Sequence, residues 1–178
     1  MAKLINHSIT PIRGNITFNV NGLSIGFLSQ HLYIFTDSIR NNIAMYSKDI
    51  SEKDIIHVLD EVNLIDKVLS LQNGIDTQIG GGGEMLSGGQ MRRVELSCLL
   101  VMRPDVVIFY KPATGLDVET ESIIQNVLNT HFKQNTVFII AHRDLTIKQA
   151  ERRIYLKCGQ IVENDALISV AQSEVNDN

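Results

Sequence analysis

The residues best placed to do chemistry are Leu86-Ser87-Gly88-Gly89-Gln90, which follow a run of four glycines, Gly80 to Gly83, and lead into Met91-Arg92-Arg93-Val94-Glu95-Leu96-Ser97. The pattern is a glycine-rich loop running into a helix. Ser87 suits an N-cap, where its hydroxyl satisfies a free N–H of the first turn. Gly88 and Gly89 carry no Cβ, so the backbone there can come very close to a ligand. A helix N-terminus offers unpaired N–H groups and partial positive charge, and the ligand that suits it is an anion such as a phosphate. An ordinary capped glycine turn has the same local residues, so this stretch alone leaves both readings open.

The surroundings bound the class of protein. With 178 residues the chain is long enough for one domain with a real core. Its apolar content of 44% and charged content of 20% are those of a soluble globular protein. A net charge of −4, with Lys and Arg scattered, leaves no nucleic-acid footprint. The longest apolar runs, such as Val106–Tyr110 and Val137–Ala141, are too short to span a membrane. The N-terminus has no extended apolar signal core, which points to the cytosol. Cys98 and Cys158 lie far apart without metal-ligand spacing and read as buried or incidental thiols, so no metal site is expected from them.

Taken in order, Met1–Ile5 reads as the end of a helix and Thr10-Pro11-Ile12-Arg13-Gly14 as a turn. Asn15 to Val20 alternates polar and apolar, the pattern of a half-buried strand, and Asn21-Gly22 follows as a hairpin-type turn. Ser24–Leu28 reads as a short strand. Ser51 to Leu71 reads as helical, with Ile55, Ile56, Leu59, Val62, Leu64, Ile65, Val68 and Leu69 as its apolar face and Asn73-Gly74 ending it. Met91 to Met102 is a helix that Arg103-Pro104-Asp105 stops. Val106–Tyr110 is a continuous apolar run, the look of a strand buried on both faces of a parallel sheet. A helix over Val118–Phe132 and a second buried-type strand over Thr136–Ala141 follow. Arg153–Lys157 and Gln160–Glu163 form a hairpin. From Asn164 the chain turns polar and is expected to fray, with Ala166–Gln172 able to form a short helix.

The pentapeptide Leu86–Gln90 as a whole resembles the signature motif of ATP-binding cassette (ABC) proteins, and residues 1–163 can be laid around it in that family's order. The resemblance implies an α/β, P-loop NTPase-like fold. Its largely parallel sheet would carry an inserted helical subdomain over residues 33–103, with a polar tail over residues 164–178. Met1-Ala2-Lys3-Leu4-Ile5 fits the helix just downstream of the Walker A lysine, and no Gly-x-x-x-x-Gly-Lys-Ser/Thr occurs in the sequence. The expectation is therefore a cassette without Walker A and the strands before it. Gly26-Phe27-Leu28-Ser29-Gln30 matches the Q-loop. In the family that glutamine reaches Mg²⁺ and the attacking water, and the loop senses the membrane domain. Tyr33 to Ile43 resembles the exporter-type continuation. Gly74–Gly80 resembles the approach to the signature, but Gly81 stands where exporters often carry a glutamate facing the membrane domain.

The strand Val106–Tyr110 resembles Walker B and departs from it at the end. Tyr110 replaces the aspartate that holds Mg²⁺ through water, and Lys111 replaces the glutamate that polarises the attacking water. A phenol ionises near pH ~10 and is a poor Mg²⁺ ligand. An ammonium has donors only and takes no proton from water unless its pKa falls far. Leu116-Asp117 matches the D-loop, and His142 matches the switch histidine that contacts the γ-phosphate.

The resemblance implies ATP and Mg²⁺ as cofactors, with the residues that would hold them in cis missing or replaced. It implies a second nucleotide-binding domain and a transmembrane domain as partners, no nucleic acid, and a place in the cytoplasm at the inner face of the membrane. In the family each ATP lies between Walker A and B of one cassette and the signature and D-loop of the other. The residues retained here, Leu86, Ser87, Gly88, Gly89, Gln90 and Asp117, belong to the half donated in trans. The expected function is a degenerate exporter cassette that does not hydrolyse ATP alone and completes a partner's site. The alternatives are an inactive remnant of a transporter gene and an ATPase domain energising export.

Overall fold

The computed structural model of the protein describes residues 2–6, 8–18, 22–111, 117–140, 150–158 and 160–166. Two units are present, Met1–Ile140 and Ala141–Asn178. In chain order the first holds α1 (Ala2–Ile5), β1 (Ile25–Leu28), β2 (Asp37–Ser38), α2 (Ile39–Ala44), α3 (Glu52–Glu61), α4 (Ile65–Leu69), β3 (Gln78–Ile79), α5 (Gly88–Met102), β4 (Val106–Tyr110), α6 (Val118–His131) and β5 (Thr136–Ile140).

β1, β4 and β5 form a parallel sheet with β4 in the middle, in register from Ile25 opposite Val106 and from Val106 opposite Thr136. Parallel neighbours need long crossovers. Here α2 to α5 lie between β1 and β4, and α6 lies between β4 and β5. A reciprocal clasp aligns the strand starts. Asp105 Oδ2 accepts from the N–H (2.9 Å) and hydroxyl (2.7 Å) of Ser24, while the Asp105 N–H donates to Ser24 Oγ at 3.0 Å.

Alternate residues of the strands serve two clusters, as the pleat requires. Leu28, Val107 and Phe109 join α5 and α6, where Phe109 meets Phe132 edge-on at 6.3 Å between ring centroids. Val106 and Ile108 face the other way, with Ala2 of α1. Val106 to Phe109 are buried, as the apolar run implies, whereas Val137 to Ile140 are only half-buried. The reason is position: β5 pairs with β4 alone among the described strands.

Three local expectations are corrected. Residues 15–18, the described part of the expected Asn15–Val20 strand, form no strand, although their alternation suits one. The segment Ser51–Leu71 is two helices, not one. A break at Asn63, whose φ is +52°, lets Val62 and Leu64 both enter the core. Residues two apart cannot share a helix face. Leu69, expected on the apolar face, is exposed. The third correction lies in the second unit. There β6 (Arg152–Lys157) and β7 (Gln160–Ala166) form the antiparallel hairpin, with a register shift between Tyr155 and Leu156. Backbone pairing carries β7 past Asn164 to Ala166, opposite Arg152, where the polar composition suggested fraying.

Candidate functional site

The first turn of α5 is built as a capped helix start. Ser87 Oγ accepts from the Gln90 N–H at 3.2 Å, and Gln90 Oε1 accepts from the Ser87 N–H at 2.9 Å, a complete capping box. Leu86 is buried and anchors the entry to the helix. The preceding glycines form a tight turn in which the Gly83 N–H donates to Gly80 O at 2.8 Å. Gly81 has φ +49°, and a Cβ on it would stand 2.7 Å from Thr36 Cγ2, so this turn takes glycine at the position where the family often has glutamate.

Gly88 and Gly89 are both helical in the first turn but do different work. Among the described residues nothing lies within 4 Å of where a Gly88 Cβ would stand. A Cβ on Gly89 would stand 2.5 Å from Asp117 Oδ2 and 2.8 Å from Thr120 Oγ1. Asp117 is the N-cap of α6: Oδ1 accepts from the Thr120 N–H at 2.7 Å, and Oδ2 accepts from the Thr120 hydroxyl at 3.1 Å. These two bonds, the backbone N–H first, hold its carboxyl below the usual carboxylate range. The signature turn and the Asp117 turn are thus packed together within the chain.

The other strand-end residues divide. The carbonyl of Gln30 is bound by Arg92 of α5. Tyr110 is the last residue of β4, paired opposite Ile140. Lys111 follows with φ +51°; its N–H donates to Ile140 O at 2.8 Å, and its ammonium lies 5.8 Å from the Tyr110 ring centroid. This end of β4 offers a phenol and an ammonium where Mg²⁺ needs carboxylate oxygens. Among the described residues no group of three or more His, Cys, Asp or Glu is placed to hold a metal. Tyr110 and Lys111 do not fit Mg²⁺. His142 lies outside the described residues, as does Leu116.

The residue-by-residue reading missed the arginines that tie these motifs together. Arg92 and Arg93, 2% and 8% exposed, are buried in a helix whose neighbours are apolar. Arg93 reaches Thr120 Oγ1 at 3.3 Å, the Asn63 carbonyl at 3.1 Å and Glu119 at 3.0 Å. Charged residues are rarely buried without partners, and that burial is visible only in the structure. Beside the Gln30 loop an apolar cleft of about 320 Å³ opens, lined among others by Tyr33, Phe35, Met45, Cys98, Leu99 and Met102. Among the described residues no helix is long and apolar enough to cross a membrane.

A family model described as ABC transporter matches residues 1–114. An ATP-dependent lipid A-core flippase from Francisella tularensis subsp. tularensis is 35% identical over 141 residues, 79% of this chain and 23% of the relative. Another protein of that name, from Syntrophus aciditrophicus, is 38% identical over 142 residues, 80% of this chain and 24% of its own. P-glycoprotein 14 of Caenorhabditis elegans is 33% identical over 170 residues, 90% of this chain and 13% of the relative. The chain thus spans about a quarter or less of the length of these relatives.

Proposed function

The chain belongs to the ABC transporter family, and from that membership we propose that it is a degenerate exporter-type cassette whose working part is the half-site it donates to a partner. Residues 33–103 are its helical subdomain, and Ser87, Gly88, Gly89 and Gln90 face a nucleotide held by a second cassette. The observation that carries this reading is a contrast between two ends. The start of α5 is capped, and its outer glycine opens to solvent. The end of β4 carries Tyr110 and Lys111, which supply neither a metal ligand nor a proton acceptor.

Phosphoryl transfer depends on positioning and charge stabilisation, so a half-site without its own metal ligands can still matter. The N–H groups of Gly88 and Gly89 are free for phosphate oxygens, since the first turn of a helix has no internal acceptors for them. ATP and its Mg²⁺ are then bound by the partner's Walker motifs, and Ser87 and Gln90 align the γ-phosphate end. The apolar cleft beside the Gln30 loop supports a reading in which this face meets a transmembrane domain from the cytoplasmic side. The relatives named as lipid A-core flippases support a lipid as the cargo class of the assembled transporter.

The test is an ATPase assay on an intact ABC cassette with and without this chain. The expected result is a rise in the partner's turnover that Ser87→Arg abolishes while circular dichroism stays unchanged. No change on addition, or the same rise with Ser87→Arg, overturns the reading.

A further inference from the structure

Arg92 is an expensive residue for its place. Its side chain is 3% exposed, and burial lowers the guanidinium below its ordinary pKa, opposed by Glu95. Glu95 is also mostly buried; burial pushes its carboxyl up, opposed by the Tyr33 N–H and Arg92. A buried ion pair is weak evidence for stability, because apolar residues of similar volume often serve as well or better. What an apolar pair cannot do is grip a backbone. Arg92 Nη1 donates to the Ser29 carbonyl at 2.7 Å and Nη2 to the Gln30 carbonyl at 3.0 Å. Nη1 also meets Glu95 Oε2 at 2.8 Å, and Glu95 Oε1 accepts from the Tyr33 N–H at 2.6 Å. Three backbone points of residues 29–33 are therefore held from one helix. The Ser29 hydroxyl closes the loop on itself by donating to the His31 carbonyl.

We propose that Arg92 is a positioning residue for Gln30: with Glu95 it forms a latch that makes the backbone of residues 29–33 move with α5. Neighbouring Arg93 engages the first turn of α6 instead, so the two arginines serve two different motifs. The functional weight of the latch rests on the reading of Ser87–Gln90 as a donated half-site. Arg92 lies two residues beyond Gln90, so a shift of the first turn on engaging nucleotide reaches the Ser29 and Gln30 carbonyls directly.

The test is residue-resolved amide exchange on the full chain, alone and with an intact cassette holding ATP. Two variants are compared with wild type: Arg92→Gln, and Arg92→Met combined with Glu95→Met. The double variant removes the latch without stranding a charge, so it carries the test if the single one does not fold. In the chain alone, the Tyr33 amide is expected to exchange about tenfold faster in both variants, as for a loss of about 1.4 kcal/mol in local opening. The Asn41 amide, bound to Ser38 in α2, should not change, and Arg93→Gln should leave Tyr33 unchanged. Unaltered Tyr33 exchange in the double variant overturns the latch. With the partner present, wild type is expected to slow at residues 87–90 and at Tyr33 together, and the double variant at residues 87–90 only. Slowing at residues 87–90 with no response at Tyr33 in wild type overturns the coupling. A latch confirmed in the chain alone, with no response at residues 87–90, upholds the positioning role and overturns the half-site instead.

Discussion

Replacing Gly88 and Gly89 by alanine, one at a time, gives the sharpest test of how the signature turn is packed. Both glycines lie in the first turn of α5, so the gain in helix propensity, up to about 1 kcal/mol, is nearly the same for each and cancels in the comparison. The difference lies in the surroundings. At Gly88 the new methyl meets nothing within 4 Å among the described residues. At Gly89 it stands 2.5 Å from Asp117 Oδ2 and 2.8 Å from Thr120 Oγ1, against the ~3.3 Å at which carbon and oxygen normally stop. The carboxylate would have to retreat by roughly 0.8 Å, and it cannot do so freely because it caps α6 through the Thr120 N–H at 2.7 Å. Thr120 is equally confined, fully buried and bound by Arg93. Overpacking of this kind costs about 1–3 kcal/mol. Gly89→Ala should therefore unfold about 1–3 kcal/mol more easily than Gly88→Ala, a gap of roughly 2–12 °C in Tm for a chain of this size. Urea titrations followed by circular dichroism would measure it. Equal midpoints for the two variants would refute the contact between the α5 and α6 turns.

Three further outcomes follow from the described residues. Gly81→Glu, which installs the residue the family often has there, meets both a φ of +49° and the Thr36 side chain at 2.7 Å; it should cost about 1–3 kcal/mol in urea unfolding, part of it recovered by adding Thr36→Ala. Burial, with a smaller contribution from Glu95, pushes the Cys98 thiol up to about 11, so iodoacetamide at neutral pH should label exposed Cys158 and leave Cys98 unmodified until denaturant opens the fold, as peptide mass spectrometry would read. The Asp117 carboxyl is held below its ordinary pKa by Thr120. Its contribution is complete above the unfolded carboxylate pKa of ~3.9 and is lost as pH falls through the lower folded value. The stability gap between wild type and Asp117→Asn should thus be constant from pH 7 to about 5 and shrink toward pH 3; a gap that widens on acidification would contradict the cap.

How much was legible beforehand varied with the kind of signal. The end of β4, the capped start and the stop of α5, and α6 followed from apolar runs and from Ser87 and Pro104, because capping and burial leave local marks in sequence, whereas Asp117 was read only as a D-loop match and not as the cap of α6. The break at Asn63 did not, since the apolar face reads through it and only the joint burial of Val62 and Leu64 requires a kink. The exposure of β5 was also hidden, because an apolar run says that a strand suits a sheet interior and not whether neighbours stand on both sides. At the site, the family motifs located Gln30, the signature turn and Asp117, but not what joins them. Apart from Glu95, the partners of Arg92 and Arg93 lie 26 to 63 residues away, and contacts of that range have no local pattern.

The same contrast between the two glycines bears on whether the chain works at all. An intact-looking signature motif is weaker support for function than it first seems, because most of it has a folding role. Leu86 is a core residue, Ser87 and Gln90 cap each other, and Gly89 is glycine because Asp117 and Thr120 leave no room. An inactive remnant that still folded would be held to all of these. Gly88 is different: its conformation is helical, the space beside it is open, and alanine there would make a better first turn. Among the described residues nothing asks for glycine at that position, and the close approach of something outside the chain would. Gly88→Ala is therefore expected to leave the chain as stable as wild type or more so, yet to abolish its effect on a partner's ATPase. If the stabilised variant stimulates the partner as well as wild type does, the glycine carries no functional weight and the half-site loses its most specific support.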